Sequence, residues 1–406
     1  MLESYPGQGG SPGLPCGSSM NAGGELLDAW IREQIRANGP VTVARFMEWA
    51  LYHPQYGYYT TGPNIGPRGD FTTSPEASPM FGRLLAKHIS ETDALLGSPS
   101  LFHVVEFGPG RGTLAGDLLD RLQQADPSFY QRLQYWLVEV SPALAATQKE
   151  RLLPAHSEVA RWASRPEQVP REPMARGLMG AVIANEFIDA FPVHVVENYG
   201  GVVSEQYVGL AGDEALRFSY GPPSDPRLLT FIEQYEIALE PGQRVEINLG
   251  AEEWAKVLGE IMAAGIVTVI DYGDTQPARY SEARREGTLL GYYGGAVTHD
   301  ILAHPGRQDL TALVDFSALL DSCREAGFDL LGMTRQANFL IGLGLGTTET
   351  VEGSANDVQD ALETRRGLQA LVSMEGLGRF HVMLLGRGVD ISAAKSRLSG
   401  LKYASV

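Results

Sequence analysis

At residues 105–113 the sequence reads VEFGPGRGT. The apolar run that precedes this stretch, residues 101–107, is typical of a buried strand, and residues 114–124 have the apolar spacing of a helix. Glycines between a strand and a helix let the backbone turn sharply, and they let a ligand approach where a Cβ atom would stand in the way. The stretch therefore predicts a strand, a tight turn and a helix, with a ligand bound on the turn.

The glycines alone fit two classes of ligand. Residues 110–115 match the G-x-G-x-x-A pattern of dinucleotide-binding loops, but the same glycines also suit S-adenosylmethionine. Glu106 favours S-adenosylmethionine, because a carboxylate at the end of the strand attracts the ammonium group of a methionine and repels a pyrophosphate. Glu139, at the end of the next apolar run, is placed to accept hydrogen bonds from ribose hydroxyls, which both ligands carry. A nicotinamide dinucleotide stays open as the alternative.

Strand-like and helix-like segments alternate on both sides of this loop, which predicts an α/β fold with a parallel sheet covered by helices on both faces. The strand-like runs are residues 101–107, 135–140, 180–184 and 265–270, and the helix-like stretches are 114–124, 142–152 and 252–264. Residues 328–333 and 380–385, with a helical segment near 355–375 between them, predict an antiparallel strand pair that closes one edge of the sheet. By analogy this is a Rossmann-like class I methyltransferase sheet rather than that of a dehydrogenase.

Composition and pattern divide the chain into five parts. We predict a disordered tail, a helical cap with a cofactor-covering loop, a first part of the core, an inserted antiparallel β meander, and a second part of the core with a substrate loop. Their respective bounds are residues 1–24, 25–100, 101–192, 193–248 and 249–406. The tail is rich in Gly, Pro and Ser and poor in branched apolar residues, so it has little surface to bury.

The overall composition excludes several classes of partner. Lys and Arg number 32 against 49 Asp and Glu, a formal net charge of −17, which argues against nucleic acid as a partner. The two cysteines, Cys16 and Cys323, have no metal-ligand spacing and predict neither a disulfide framework nor a metal site. No run of 18 apolar residues and no apolar signal core occurs, so we predict a soluble cytoplasmic protein without a membrane partner. The sequence leaves the oligomeric state open.

Candidate active-site residues follow the third and fourth strand-like runs, because ligands of open α/β sheets lie beyond the C-terminal strand ends. Asn185 and Glu186 are expected to point into the crevice, whereas Asp189 fits a helix-capping role equally well. Asp271 and Tyr272 either face the substrate or satisfy the amides of a turn.

Two loops add further candidates. Residues 68–76 are polar and aromatic and are predicted to cover the cofactor or substrate, although a plain surface loop has the same composition. His299, Asp300 and His304 occur in a long loop, where acid–base catalysis and an ordinary exposed loop are both compatible with the sequence.

Nine groups of residues, in order along the chain, together resemble the MidA-like family. They are ARFM (44–47), YHP with GYY (52–59), GDF with SPE (69–76), EFGPG (106–110), VEVSP (138–142), ANE with Asp189, Ala190 and Pro192 (184–192), EINL (246–249), IDYG (270–273), and DLTA with VDF (309–316). Ordered matches over most of the chain are more specific than one glycine loop.

The resemblance implies a class I S-adenosylmethionine-dependent methyltransferase, related to mitochondrial enzymes that methylate an arginine in a subunit of complex I during its assembly. Carried over block by block, it implies that cofactor is held by Glu106, Gly108, Gly110, Gly112 and Glu139. It further implies that Asp70 and Phe71 close over the cofactor, that Asn185 and Glu186 border the methyl acceptor, and that Asn185 also contacts the cofactor.

Three functions follow as hypotheses. The first is methylation of a protein arginine, in which carboxylates orient the guanidinium and accept a proton; the candidates are Glu186, Asp70, Asp271 and Glu76, with Asn185 beside them. The second is a small-molecule O- or N-methyltransferase, since residues 291–296 and Leu313 depart from the family pattern. The third is a non-catalytic assembly factor that binds S-adenosylmethionine.

Overall fold

The computed structural model describes residues 20–62, 66, 69, 72–169, 177–212, 214–346 and 358–404. Most of the predicted tail, residues 1–19, lies outside the described residues, as do Asp70 and Phe71. Residues 20–24 do not belong to a disordered tail, because the first helix begins at Met20. None of the helices in the described part of the chain combines the length and the apolar character that a membrane span requires.

The helices alternate with strands through the core, as the sequence predicts. The helices are α1 (Met20–Asn38), α2 (Val43–Tyr52), α3 (Ser74–Ala77), α4 (Met80–Leu95), α5 (Thr113–Ala125), α6 (Pro127–Tyr130), α7 (Pro142–His156), α8 (Arg227–Gln234), α9 (Leu249–Ile261), α10 (Phe316–Glu325), α11 (Gln336–Leu343), α12 (Val358–Val372) and α13 (Ile391–Arg397).

The strands are β1 (Val41–Thr42), β2 (Phe102–Phe107), β3 (Leu133–Val138), β4 (Ala160–Ala163), β5 (Leu178–Asn185), β6 (His194–Tyr199), β7 (Val202–Leu210), β8 (Leu216–Gly221), β9 (Arg244–Ile247), β10 (Met262–Asp271), β11 (Gly273–Asp274), β12 (Leu290–Tyr293), β13 (Ala296–Thr298), β14 (Asp309–Thr311), β15 (Val314–Asp315), β16 (Asp329–Arg335) and β17 (His381–Arg387).

The central sheet has seven strands in the order β16-β17-β10-β5-β2-β3-β4. The five strands from β10 to β4 are parallel, whereas β17 runs antiparallel to both β10 and β16. This confirms the predicted antiparallel pair at one edge. The order reverses between β2 and β5, and such a reversal opens a crevice at the C-terminal strand ends where ligands bind.

Both faces of the sheet are covered, so its inner strands read as continuous apolar runs. Every residue of β2 is buried. Val104 and Ile183 face a core built with α4, α5 and α11, and Val105 and Val182 face a second core built with α9 and α10. The helix predicted to run to residue 264 ends at Ile261, because the chain enters β10 at Met262.

The predicted meander forms a second sheet, ordered β1-β7-β6-β9 with β8 paired to β7. Its β6–β7 and β7–β8 hairpins are antiparallel, as predicted, but β1 comes from the N-terminal cap. Leu27 and Phe46 of the cap share a buried cluster with Val195 and Val208 of the insertion. The cap and the insertion thus share one hydrophobic core and one sheet.

Strands β2, β5 and β10 approach closely at two glycines. A Cβ atom at Gly180 would lie 1.9 Å from the carbonyl oxygen of His103, and one at Gly265 would lie 1.8 Å from the carbonyl oxygen of Gly180. Both residues have positive φ angles, 153° and 144°. These contacts are with backbone atoms, which cannot move aside without breaking the parallel ladder.

We expect Gly180→Ala to destabilise the protein by about 3 kcal/mol, because overpacking and backbone strain both act at this position. Chemical denaturation monitored by circular dichroism measures the change. Gly212→Ala is the matched control, because a Cβ atom there meets nothing within 4 Å. Equal stability of the two variants would contradict the conclusion that β2, β5 and β10 leave no room for a Cβ atom at Gly180.

Candidate active site

A cavity of about 820 Å³ opens at the C-terminal ends of β2, β3, β5 and β10. Its wall includes residues 106–111 at the end of β2, residues 138–140 at the end of β3 and residues 185–187 at the end of β5, and the opposite wall includes Tyr59 of the cap and Tyr292 of β12. The volume lies within the range of about 300–1,000 Å³ that small-molecule and cofactor sites have. The crevice is therefore where the strand-end rule places it.

The glycine loop has the backbone that its sequence predicts. Gly108, Gly110 and Gly112 have φ angles of 61°, 53° and 74°, a region that favours glycine. A Cβ atom on Gly108 would also lie 2.8 Å from the ring of Phe187. The loop leads directly into α5 at Thr113, so the first backbone N–H groups of that helix follow the bend.

Glu106 lies at the cavity wall at the end of β2, with only 3% of its surface exposed. The hydroxyl of Tyr135 donates to its Oε2 at 2.7 Å. Burial raises the pKa of Glu106 to about 7, against the opposing effect of that hydrogen bond, and the nearby Glu139 carboxyl raises it further. An ammonium group next to this carboxylate would stabilise its charged form, so the site fits the amino-acid end of S-adenosylmethionine.

Glu139 is linked to the glycine loop through Gln148 of α7. The backbone N–H of Ser141 donates to Glu139 Oε1 at 2.8 Å, and Gln148 Nε2 donates to its Oε2 at 3.1 Å. Gln148 Nε2 also donates to the carbonyl oxygen of Gly110 at 2.7 Å. Burial raises the pKa of Glu139 to about 7. Sequence reasoning missed Gln148, whose only signal was a polar side chain on the buried face of a helix.

Asn185 and Glu186 lie together at the end of β5, as predicted, and both line the cavity. Glu186 Oε1 accepts hydrogen bonds from the backbone N–H of Ser74 at 3.0 Å and from Asn185 Nδ2 at 3.2 Å. Burial raises the pKa of Glu186 to about 8, and the charge of Asp189 raises it further. Asn185 Oδ1 is buried and has no hydrogen-bond partner among the described residues. Glu186 itself has a φ angle of 49°, so the turn that exposes its carboxylate is held in an uncommon conformation.

Asp189 lines the same cavity and caps no helix, which removes the capping alternative. Its Oδ2 accepts hydrogen bonds from the hydroxyls of Tyr272 and Thr311, the latter at 2.8 Å. Its Oδ1 is buried and has no partner within the described residues. Burial raises the pKa of this carboxyl group.

Tyrosines of the cap form the opposite wall. The rings of Tyr52 and Tyr59 stack with their centroids 5.5 Å apart. The hydroxyl of Tyr52 donates to the carbonyl oxygen of Ala190 at 2.9 Å, and that of Tyr59 donates to Asp309 Oδ1 at 2.7 Å. Both belong to the sequence block at residues 52–59, for which the sequence alone suggested no role. The block therefore ties the cap to the segment after β5 and to β14.

The structure does not place Asp271 on the cavity wall, contrary to its predicted catalytic role. The residue is fully buried, and its Oδ2 accepts the backbone N–H groups of Phe187, Ile188 and Asp189 at 3.0–3.3 Å. Its Oδ1 accepts the N–H of Tyr272 at 2.8 Å. Burial and the neighbouring carboxyl groups of Asp189 and Glu186 raise its pKa. Asp271 therefore positions the loop after β5, and the turn-amide alternative is the correct one.

The remaining candidates divide between the cavity and the surface. Glu76 lines the cavity and accepts a hydrogen bond from the hydroxyl of Thr113 at 2.5 Å. His299 and Asp300 are exposed, and His304 stacks on Tyr293 at a centroid distance of 4.2 Å without lining the cavity. Asp70 and Phe71 lie outside the described residues, so their predicted roles stay predictions. Within the described residues no three or more His, Cys, Asp or Glu side chains are grouped to hold a metal ion.

Four carboxyl groups thus converge on one cavity: Glu106, Glu139, Glu186 and Asp189. None of them takes part in an ion pair between described residues, in contrast to Glu246, which pairs with Arg279 at 2.8 Å. Buried carboxylates ordinarily pair with cations, because desolvation without a counter-charge is costly. The arrangement is therefore suited to ligands that bring positive charge with them.

Comparisons with known proteins agree with this geometry. A sequence profile of the family described as "Putative S-adenosyl-L-methionine-dependent methyltransferase" matches residues 84–334. The chain is 30% identical to protein arginine methyltransferase NDUFAF7, mitochondrial, of Mus musculus, over 92% of this chain and 89% of the mouse protein. It is 32% identical to the NDUFAF7 homolog of Drosophila melanogaster, over 74% of this chain and 70% of the fly protein. A Burkholderia thailandensis protein crystallised with S-adenosyl-homocysteine superposes with a TM-score of 0.82 at 31% identity, over 94% of this chain and 96% of that chain.

The affinity for S-adenosylmethionine should fall as the pH falls through 7. The Glu106 carboxyl, with a pKa of about 7, is charged above that pH and neutral below it, and only the charged form attracts the ammonium group. One such group predicts roughly fivefold weaker binding at pH 6 than at pH 7, below the range of about 7.7–8.0 in which α-amino groups lose their own proton. Isothermal titration calorimetry at several pH values measures this.

Glu106→Gln should bind more weakly at pH 8 and show a flatter pH dependence, because the variant carries no titrating group at this position. Glu158→Gln is the control, since Glu158 is exposed and absent from the cavity wall. A Glu106→Gln profile with the wild-type slope would show that another group accounts for the pH dependence.

Proposed function

Because the chain belongs to this family of S-adenosyl-L-methionine-dependent methyltransferases, we propose that it transfers the methyl group to an arginine side chain of a protein. The proposal is supported by the named activity of relatives that align over most of their length. It depends above all on the hydrogen-bond acceptors at one end of the cavity, around Asn185, Glu186 and Asp189, which we call the acceptor end.

At the proposed acceptor end, Glu186 and Asp189 form no ion pair with a described residue, although Arg379 also lines the cavity. Glu186 and Asn185 Oδ1 lie beside each other, and Asn185 Oδ1 is buried without a partner among the described residues. A guanidinium group offers five N–H donors in a planar fork and carries the positive charge that the carboxylate lacks. An alcohol or a neutral amine would offer fewer donors and no charge. The arrangement therefore favours arginine over an uncharged acceptor.

Bound S-adenosylmethionine supplies an electrophilic methyl group on a sulfonium. The task of the chain is then to align the acceptor nitrogen with that group in a site shielded from water, and alignment can lower the barrier by roughly 7–11 kcal/mol. Glu186 orients the guanidinium, and its position is fixed by the N–H of Ser74 and the amide of Asn185. Tyr52 and Tyr59 enclose the acceptor from the side of the cap.

Labelled S-adenosylmethionine, incubated with the protein and a cell lysate, tests the acceptor. We expect label in protein, released as methylarginine on acid hydrolysis. Label confined to the small-molecule fraction would instead support a small-molecule methyltransferase, and cofactor binding with no label transfer would support a non-catalytic factor.

Glu186→Gln should lower kcat by on the order of 10²-fold or more, since it removes the charge that orients the acceptor, while leaving the affinity for S-adenosylmethionine nearly unchanged. Glu158→Gln again serves as the control. Unchanged turnover of Glu186→Gln would contradict the role of this carboxylate. The cytoplasmic location stays a prediction from the sequence; the word mitochondrial in the names of the relatives describes those proteins.

A further inference from the structure

We propose that Asp189 is a second catalytic carboxylate, which binds the acceptor guanidinium through Oδ1 and accepts the proton that its nitrogen releases. This inference rests on the proposed arginine acceptor and adds to it the residue that completes the chemistry. The sequence left Asp189 between a cavity role and a capping role, and only the structure separates the two.

The two oxygens of Asp189 are in different situations. Oδ2 accepts hydrogen bonds from the hydroxyls of Tyr272 and Thr311, whereas Oδ1 is buried without a partner among the described residues. Most buried carboxylate oxygens have a hydrogen-bond donor, because an unpaired buried acceptor is costly, and of the two aspartate oxygens that lack one among the described residues, only that of Asp189 belongs to a residue of the cavity wall. An oxygen left without a donor at the wall of a ligand cavity points to a donor carried by the ligand.

Asp189 is also held from three sides. Its backbone N–H donates to Asp271 Oδ2 at 3.3 Å, at the end of β10. Its carbonyl oxygen accepts the N–H of Ala312 at 3.1 Å, just after β14. With Tyr272 and Thr311 fixing Oδ2, both the backbone and the side chain have a single position. Such restraint is what a group must have to meet a reacting atom without further reorganisation.

The reaction requires a proton acceptor. An arginine guanidinium is protonated at neutral pH, with a solution pKa of about 12.5–13.8, and one of its nitrogens must lose a proton when it gains a methyl group. The acceptor nitrogen forms a bond to the methyl carbon, the carbon–sulfur bond breaks with its electron pair left on sulfur, and the nitrogen's proton passes to Asp189 Oδ1. The acceptor thus remains singly charged and the donor becomes a neutral thioether.

Glu186 and Asp189 have different roles in this proposal because their hydrogen bonds differ. Glu186 Oε1 is occupied by the N–H of Ser74 and the amide of Asn185, which suits it to orienting the acceptor. Asp189 is buried, with 6% of its surface exposed, and burial raises its pKa. A raised pKa makes a carboxylate a better proton acceptor near neutral pH.

Binding of an arginine probe tests the first half of the proposal without turnover. Calorimetry with N-acetyl-arginine-methylamide and the protein loaded with S-adenosyl-homocysteine should give at least roughly tenfold weaker probe binding for Asp189→Asn, with unchanged affinity for S-adenosyl-homocysteine. Asp329→Asn, an exposed aspartate outside the cavity, is the control. Equal probe binding by wild type and Asp189→Asn overturns the inference and leaves the arginine acceptor standing. Failure of the wild type to bind the probe overturns the inference and also counts against the proposed function.

Turnover tests the second half. Asp189→Asn should lower kcat by on the order of 10²-fold and leave an acid limb that reports Glu186 alone, whereas Glu186→Gln should keep an acid limb that reports Asp189. Tyr272→Phe keeps the Asp189 carboxylate and serves if Asp189→Asn does not fold. Since the Tyr272 hydroxyl lowers the pKa of Asp189, its removal should move the acid limb to higher pH. An acid limb that is unchanged in Tyr272→Phe, or lost in Glu186→Gln alone, overturns the assignment of the proton to Asp189.

Discussion

The chemistry of this protein depends on holding carboxyl groups away from water without neutralising them. Glu106, Glu139 and Asp189 are buried and Glu186 is half-buried, yet the ion pairs formed between described residues include none of the four. Removing a carboxylate from water costs several kcal/mol even after the surroundings relax. That cost explains why their pKa values are raised. A cationic ligand offsets it, because the attraction between opposite charges stabilises the ionised carboxylates.

Neutral donors make this arrangement possible. Glu106 is bound by the hydroxyl of Tyr135, Glu139 by an N–H and by the amide of Gln148, and Asp189 by two hydroxyls. A neutral donor fixes the geometry of a carboxylate and lowers its desolvation cost, but it leaves the negative charge uncompensated. An arginine or lysine in the same place would stabilise the fold more strongly and would also compete with the ligand. The fold therefore uses its charged pairs elsewhere, as at Arg279 and Glu246.

Much of this could be predicted from the sequence, because the relevant signals are local. The glycine bend after β2, Glu106 and Glu139 at strand ends, and Asn185 with Glu186 all follow from the rule that ligands lie at C-terminal strand ends, and the family match confirms S-adenosylmethionine over a nicotinamide. The rest depends on contacts between distant segments. Nothing in residues 52–59 indicates that Tyr59 reaches Asp309, and Asp271 is indistinguishable from a catalytic strand-end acid until its four N–H donors are seen.

The density of acids in the cavity also follows from the charges of the reactants. With the proposed arginine acceptor, the sulfonium and the guanidinium are both cations that methyl transfer brings together, and two unit charges 4 Å apart repel by about 4 kcal/mol at an effective dielectric constant of 20. In the proposed arrangement the charges of Glu186 and Asp189 offset the charge of the guanidinium, while Glu106 pairs with the ammonium group of the methyl donor, so the repulsion between the two reactants is reduced. In the proposed reaction the sulfur becomes neutral and the released proton neutralises Asp189, so the ligands carry one positive charge fewer and the cavity wall carries one negative charge fewer. A neutral Asp189 attracts the methylated guanidinium less than the carboxylate attracted the substrate, and this difference favours release of the methylated product.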